Sequence, residues 1–334
     1  MSSCVRQFAS PPRFAGRRRI ELSLTQLVIK MSASVNFENT DQELRASLKA
    51  ALENRENLPA GELASYLAHP LPNIRRLTLK LLERSSDVSV IPALFDVSAD
   101  PDYEISSAAH ELLRSYQDPA ATVLLAEGLN HPADEARLVA VIALRRYRSP
   151  SVLPDLIRAL GDREPAVRRE AVLTLAAYRR PELVTALRSA LRDDEALVRR
   201  AAVQSIPDYD SAFVFEDLIL ALDDEDWQVR LEAARGLRRF RSDAARAALL
   251  ESLDDEAWQV VREAILSLAM QSVRADYRII NRLRHPVAQV RLAAAFVVAR
   301  VGGPEARVHL EPLLKDGDIE VRRSAQEAFL SLAA

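Results

Sequence analysis

The sequence predicts an all-α fold, an α-solenoid of about ten helical hairpins wound as a right-handed α–α superhelix. Three observations carry that reading: an aliphatic position that returns at a fixed interval, apolar stripes at helical spacing around it, and a scarcity of glycine. The aliphatic position falls at Ile74, Ile105, Ala136, Val167, Val198, Val229 and Val260, always 31 residues apart, then at Val290 after 30 and Val321 after 31. A fixed period of that length is the signature of stacked supersecondary units. The chain has eight glycines in 334 residues, too few for a sheet rich in tight turns, and its abundant Leu, Ala, Arg and Glu all favour helix.

The first helix of each unit follows from the positions after the anchor. Four residues on stand Thr78, Ala109, Ala140, Ala171, Ala202, Ala233, Ala264, Ala294 and Ala325. Eight on stand Leu82, Leu113, Leu144, Leu175, Ile206, Leu237, Leu268, Val298 and Phe329. Apolar residues at i, i+4 and i+8 form one helical stripe, and the small residue in its middle lets a neighbouring helix approach closely. A second stripe follows a short break, as in Leu183, Leu187, Leu191, or Val152, Leu156, Leu160, or Val214, Leu218, Leu222. Prolines such as Pro181 and Pro304 mark where that second helix begins, a place where a missing N–H costs nothing. Pro207, near the end of a first helix, predicts an early end or a kink at Ser205–Pro207. The one 30-residue interval is expected to be absorbed in the turn around Gln271–Asp276.

The ends are read from the same register. Thr40 and Glu43 read as a capping box opening a helix with Leu44, Leu48 and Leu52, so 40–68 is expected to be a degenerate first hairpin. Regular repeats then occupy 69–315 and a terminal half-repeat 316–334, one solenoid over 40–334. Residues 1–39 are expected to be a disordered or mis-called extension. The first thirty residues carry +5 of charge through Arg6, Arg13, Arg17, Arg18, Arg19 and Lys30 against Glu21, so the net −3 of the chain leaves −8 for the remainder.

The pattern Asp-x5-Arg-x2-Ala-x3-Leu resembles the HEAT-like repeats of the phycobilisome-lyase type over roughly residues 69–334. The resemblance implies a ladder of hydrogen bonds between turn aspartates and helix arginines, with Asp162 and Arg168, Asp193 and Arg199, Asp224 and Arg230, and Asp316 and Arg322 at the matching positions. Ser106 and Val261 depart from it, standing where arginine belongs. It brings no catalytic residues with it, because function lives in sites grafted on folds. It does imply one alternative function, a subunit of a bilin-type chromophore lyase or cofactor-maturation complex.

Candidate sites divide into weak and informative. His69, His131 and His285 each occupy the aspartate slot of a turn and are each followed by proline, which makes them turn residues on separate repeats rather than one metal site. His110–Glu111 is a single His–Glu pair; deoxyhypusine hydroxylases, built of similar repeats, hold two irons with several, in another register. Tyr116, Tyr147, Tyr178, Tyr209 and Phe240 recur every 31 residues, either as a stacking ladder for planar ligands or, as favoured here, as packing residues whose hydroxyls reach solvent. Trp227 and Trp258 sit in near-duplicate strings two residues before the anchor, where Tyr103 stands in an earlier repeat and other units make do with Ala or Pro. Indoles are frequent interface anchors, so Trp227, Trp258 and Tyr103, with Asp224, Asp226 and Asp255 beside the indoles, form the candidate partner-binding set; the competing reading is that each indole covers its own joint.

Charge follows the repeat as well. Turns between repeats are acidic (Asp193-Asp194-Glu195, Asp223 to Asp226, Asp254-Asp255-Glu256), and turns within repeats are basic (Arg145, Arg146, Arg148; Arg179, Arg180; Arg238, Arg239, Arg241). Helix dipoles explain the signs, and the density adds a steering field. No nucleophile–base pair, phosphate loop or ligand cluster is visible, so no catalytic residue, cofactor or metal is expected. The acidic body excludes sequence-independent nucleic-acid binding, including that of the HEAT-like DNA glycosylases, and no apolar run approaches a membrane span. A lone cysteine, Cys4, fits a reducing cytoplasm. The expectation is a monomeric, non-catalytic protein-binding scaffold or assembly factor.

Overall fold

The computed structural model describes residues 37–209, 212–271 and 276–332. Among them lie nineteen α-helices linked by short 3-10 turns, and no strand. The chain divides into two units after Glu56. The first holds the helix Phe37–Glu53. Thr40 and Glu43 lie inside that helix and not at its start, which corrects the capping-box reading: the helical segment extends back through both residues. The hairpin expected over 40–68 spans the division, its second helix being Ala60–Tyr66 in the second unit. Residues 1–30, and most of the turn expected to absorb the short interval, lie outside the described residues.

The second unit alternates two kinds of helix. First helices begin just before each anchor, as in Asp134–Leu144, Pro165–Ala177, Ala196–Ser205, Trp227–Leu237 and Trp258–Met270. Second helices are shorter, and several are spliced with 3-10 turns: Val184–Ser189 lies between Pro181–Leu183 and Ala190–Arg192. The stripes read from sequence are the core. Every anchor is at most 1% exposed, as is every residue four after it, and every residue eight after it except Phe329. Each fully buried Val, Leu or Ile among them contributes roughly 1.5–3 kcal/mol. The column of alanines has the expected consequence, for successive first helices pack directly on one another while successive second helices meet sparsely. Pro207 ends its helix as expected: the α-helix stops at Ser205 and a 3-10 turn, Ile206–Asp208, takes over.

Candidate binding surface

The turns between repeats are built by one arginine and one aspartate per joint. Arg168 shows the pattern. Its Nη1 donates to the carbonyl of Asp162, 2.9 Å away, in its own turn. Its Nε and Nη2 form a fork on the two carboxylate oxygens of Asp193, both at 2.7 Å, in the next turn. The aspartate of a motif therefore meets its own arginine only through the main chain, and the carboxylate bond crosses to the following repeat. Arg137–Asp162, Arg199–Asp224, Arg230–Asp255 and Arg291–Asp316 repeat the fork, and Arg75–Asp100 precedes them. Arg322 bonds the carbonyls of Asp316 and Gly317 in the same way. Each aspartate also accepts the N–H two residues on, as Asp162 Oδ1 does from Glu164 at 2.9 Å. Burial pushes the Asp162 carboxyl up, but the bonds from Arg137 and the Glu164 amide and the guanidinium charges outweigh it and hold the group below its ordinary range; Asp193 and Asp224 behave likewise.

Histidine replaces the aspartate as a turn cap. Nδ1 of His69, His131 and His285 accepts the N–H of Leu71, Ala133 and Val287, each at 3.1 Å. An imidazole cannot supply the carboxylate fork, and two of the three lack the arginine as well. Ser106 stands where the arginine reaching His131 would be, and Val261 stands where the one reaching His285 would be. The two departures from the motif are thus paired losses, and the ladder is interrupted at those two joints.

The indoles sit on the uninterrupted stretch. Trp227 and Trp258 open adjacent first helices and both are half-buried. Asp226 caps the first of these helices, accepting from Gln228 at 2.8 Å and Val229 at 3.3 Å. The flanking acids have bonding partners of their own. Asp224 and Asp255 commit both carboxylate oxygens to Arg199 and Arg230, and Asp226 caps its helix, so all three have partners within the stack. The acids turned to solvent are Asp223, Glu225 and Glu256, the last two 85% and 88% exposed even though each touches a ladder arginine. Tyr103 holds the same helix-start position and is 82% exposed, but it lies four repeats from Trp227 and is not brought into their patch.

The tyrosines are packing residues with a difference. Their hydroxyls donate to carbonyls of the preceding repeat, Tyr116 to Asp87 at 3.2 Å, Tyr147 to Tyr116 at 2.7 Å, Tyr178 to Ser149 at 3.2 Å and Tyr209 to Ala176 at 3.4 Å. Burial pushes the Tyr116 phenol up to about 12. Phe240, lacking a hydroxyl, packs on Phe215 with ring centroids 5.5 Å apart.

A second charge network escaped the sequence reading. Three residues after the anchor, Glu232 and Glu263 are only 4% and 7% exposed. Arg235 lies between them, with Nη1 2.9 Å from Glu232 Oε2 and Nε 3.2 Å from Glu263 Oε1. Arg200 reaches Glu232 at 3.6 Å and Gln228 at 3.1 Å. Alternating signs across three repeats satisfy charges that would be costly alone. The signal was present, since Glu170, Glu232 and Glu263 hold a place that elsewhere takes Ala108, Val139, Ala201 or Ala293. A cavity of about 340 Å³ opens between Val184–Ser189 and Ala212–Ala221, where Arg188 and Asp217 neutralise each other. Among the described residues no three His, Cys, Asp or Glu side chains gather as metal ligands, and no helix is long and apolar enough to cross a membrane.

Comparison with known families agrees with this architecture. The family model described as HEAT repeats matches residues 61–145, 122–207 and 215–276, together more than half of the chain. The chain belongs to the HEAT-repeat family. No curated protein matches it by sequence. Among solved structures this HEAT-repeat chain is similar to Kap95p, seen bound to RanGDP, at 13% identity and a TM-score of 0.59, with 95% of this chain and 50% of that one covered. It is also similar to a Kap121p mutant at 15% identity and a TM-score of 0.55, covering 93% and 43%. Human deoxyhypusine hydroxylase is aligned over 74% of this chain and 96% of that one at 19% identity, with a TM-score of 0.32. The likenesses to Kap95p and Kap121p show the fold.

Proposed function

We propose that this chain is a non-catalytic protein-binding scaffold, and that it captures its partner on the patch formed by Trp227, Trp258 and the acids Asp223, Glu225 and Glu256. The observation that carries the reading is the repetition of a half-buried indole at one helix-start position in adjacent repeats, roughly one helix-packing distance apart (~8–10 Å). Neighbouring repeats hold that position with Ala196 or Ala288, so the stack does not require bulk there. The partner that fits is a protein segment with apolar anchors set in a basic surface, such as a Lys- and Arg-rich helix. Capture of a protein by such a stack has a parallel in Kap95p and RanGDP.

The test is capture by the immobilised full chain from extract of its native cell, with the W227A/W258A variant alongside. The variant is expected to lose the partner while keeping its helical spectrum and melting temperature. Unfolding of the double variant, or undiminished capture, would move the binding site elsewhere.

A further inference from the structure

On the opposite edge, where the two helices of a repeat join, two arginines adopt a backbone conformation that side chains seldom take. Arg148 has φ 48° and Arg179 has φ 52°. They are 31 residues apart and so hold one turn position in adjacent repeats. Left-handed backbone is unstrained for glycine, and the chain does use glycine for it at Gly303, φ 60°, after a later first helix. With Cβ present the conformation costs folding energy.

The main chain repays part of that cost by closing the helix end, Arg179 N–H donating to the carbonyl of Ala176 at 3.1 Å, and the helix dipole favours a positive charge there; no side-chain contact adds to it. Both side chains are exposed, and neither makes a hydrogen bond or ion pair among the described residues. Neighbouring arginines are employed: Arg145 holds Glu170 and Thr174, Arg146 the carbonyl of Arg114, and Arg239 the carbonyl of Pro207 and Asp208. Arg55, with φ 56°, also has a partner. Strain retained at exposed, idle charges points to a ligand.

We propose that Arg148 and Arg179, supported by Arg146 and by Arg180 beside Glu182, form a second docking surface, one that takes an acidic segment of a partner protein. The surface is separate from the indole patch and does not depend on it. Adjacent turns about 10 Å apart match carboxylates some three residues apart along an extended segment. The positive run covers two repeats and then meets the exposed Asp208, which is too short for a nucleic-acid strand, whose affinity grows with the number of phosphates neutralised.

The test is fluorescence anisotropy of a labelled oligoglutamate peptide on the full chain at low salt, with R148G/R179G and R148K/R179K. The glycine variant removes the charges and the strain together, so it should melt at a higher temperature and bind the peptide about tenfold more weakly. The lysine variant should retain most of the binding. Unchanged peptide binding by the glycine variant, or a lower melting temperature, would overturn the proposal. So would tighter binding of a labelled single-stranded DNA that the same variant abolishes.

Discussion

Two kinds of joint hold the repeats together, and they differ at the turn edge. From Arg137 to Asp255 four successive joints are closed by a charged fork, with arginine side chains 7–15% exposed and aspartates 10–12% exposed. The joint at His131 has none. There the Phe95 ring lies against Gly128, and His131 Nε2 stands 3.3 Å from Asp96 Oδ1. The joint at His285 is bridged from a second helix instead, by Arg282 on the carbonyl of Leu253 at 3.0 Å and on Asp254. A fork of charge-assisted bonds is directional and fixes register, whereas ring packing and single bonds resist sliding less. The comparison teaches that one repeat length supports two ways of closing a joint, and that the indole patch rides on the stiffer kind.

The largest expected effect is at a forked joint. Arg199→Ala would strand the Asp224 carboxylate and remove bonds to Asp193, Asp194 and Glu225. Breaking one partner of a partly buried pair costs about 3 kcal/mol, read as a lower denaturation midpoint. A loss comparable to that of an exposed surface arginine would mean that the fork holds nothing.

Gly128→Ala strikes the other kind of joint. A Cβ there would lie 2.2 Å from Phe95 Cζ, closer than any real contact, while Phe95 is itself 3% exposed and has little room to yield. Overpacking of this kind costs about 1–3 kcal/mol. Phe95→Leu in the same chain should recover part of it, and failure of that rescue would place the strain elsewhere.

Converting one joint into the other should have a smaller effect of opposite sign. S106R/H131D rebuilds the fork at its normal separation of 25 residues, as in Arg137–Asp162. The pair should add about 1 kcal/mol and slow amide exchange around residues 128–134, while either single change adds nothing, a coupling that a double-mutant cycle measures. Additive singles would show that the joint does not close on the new pair.

How much of this was legible depends on what repeats. The stack was readable because nine anchors and their small and large companions are selected by burial, and burial is what periodicity reports. The early helix end at Pro207 was readable from a missing donor. The direction of the ladder was not, because a spacing of six within a motif and one of 25 between motifs are the same pattern in a periodic sequence. The acceptors of the tyrosine hydroxyls were not legible for a related reason: they are carbonyls of another repeat, which no local window contains. Thr40 and Glu43 matched a local signature that the longer helix around them overrode. The Glu232–Arg235–Glu263 chain was overlooked because charged residues on a helix usually mean a solvated face.

The smallest effect separates histidine turns from aspartate turns by pH. His285 caps its turn only while Nδ1 is free to accept the Val287 N–H, which requires the neutral ring. Burial pushes its pKa below the ordinary value, and the nearby positive charges of Arg282 and Arg291 add to the shift. A folded pKa below the unfolded one means that the unfolded chain binds the proton more readily, so stability rises with pH across that window. The contribution of the His285 cap is full above the ordinary histidine pKa and is lost as pH falls through the lower folded value. Asp193 is shifted the same way from a much more acidic starting point, so its turn keeps its cap throughout that range. Amide exchange, corrected for its intrinsic pH dependence, should therefore show Val287 losing protection between neutral and mildly acid pH while Glu195 keeps it, and H285D should abolish the difference. Equal protection of both amides at mildly acid pH would mean that the imidazole's acceptor role does not hold the turn.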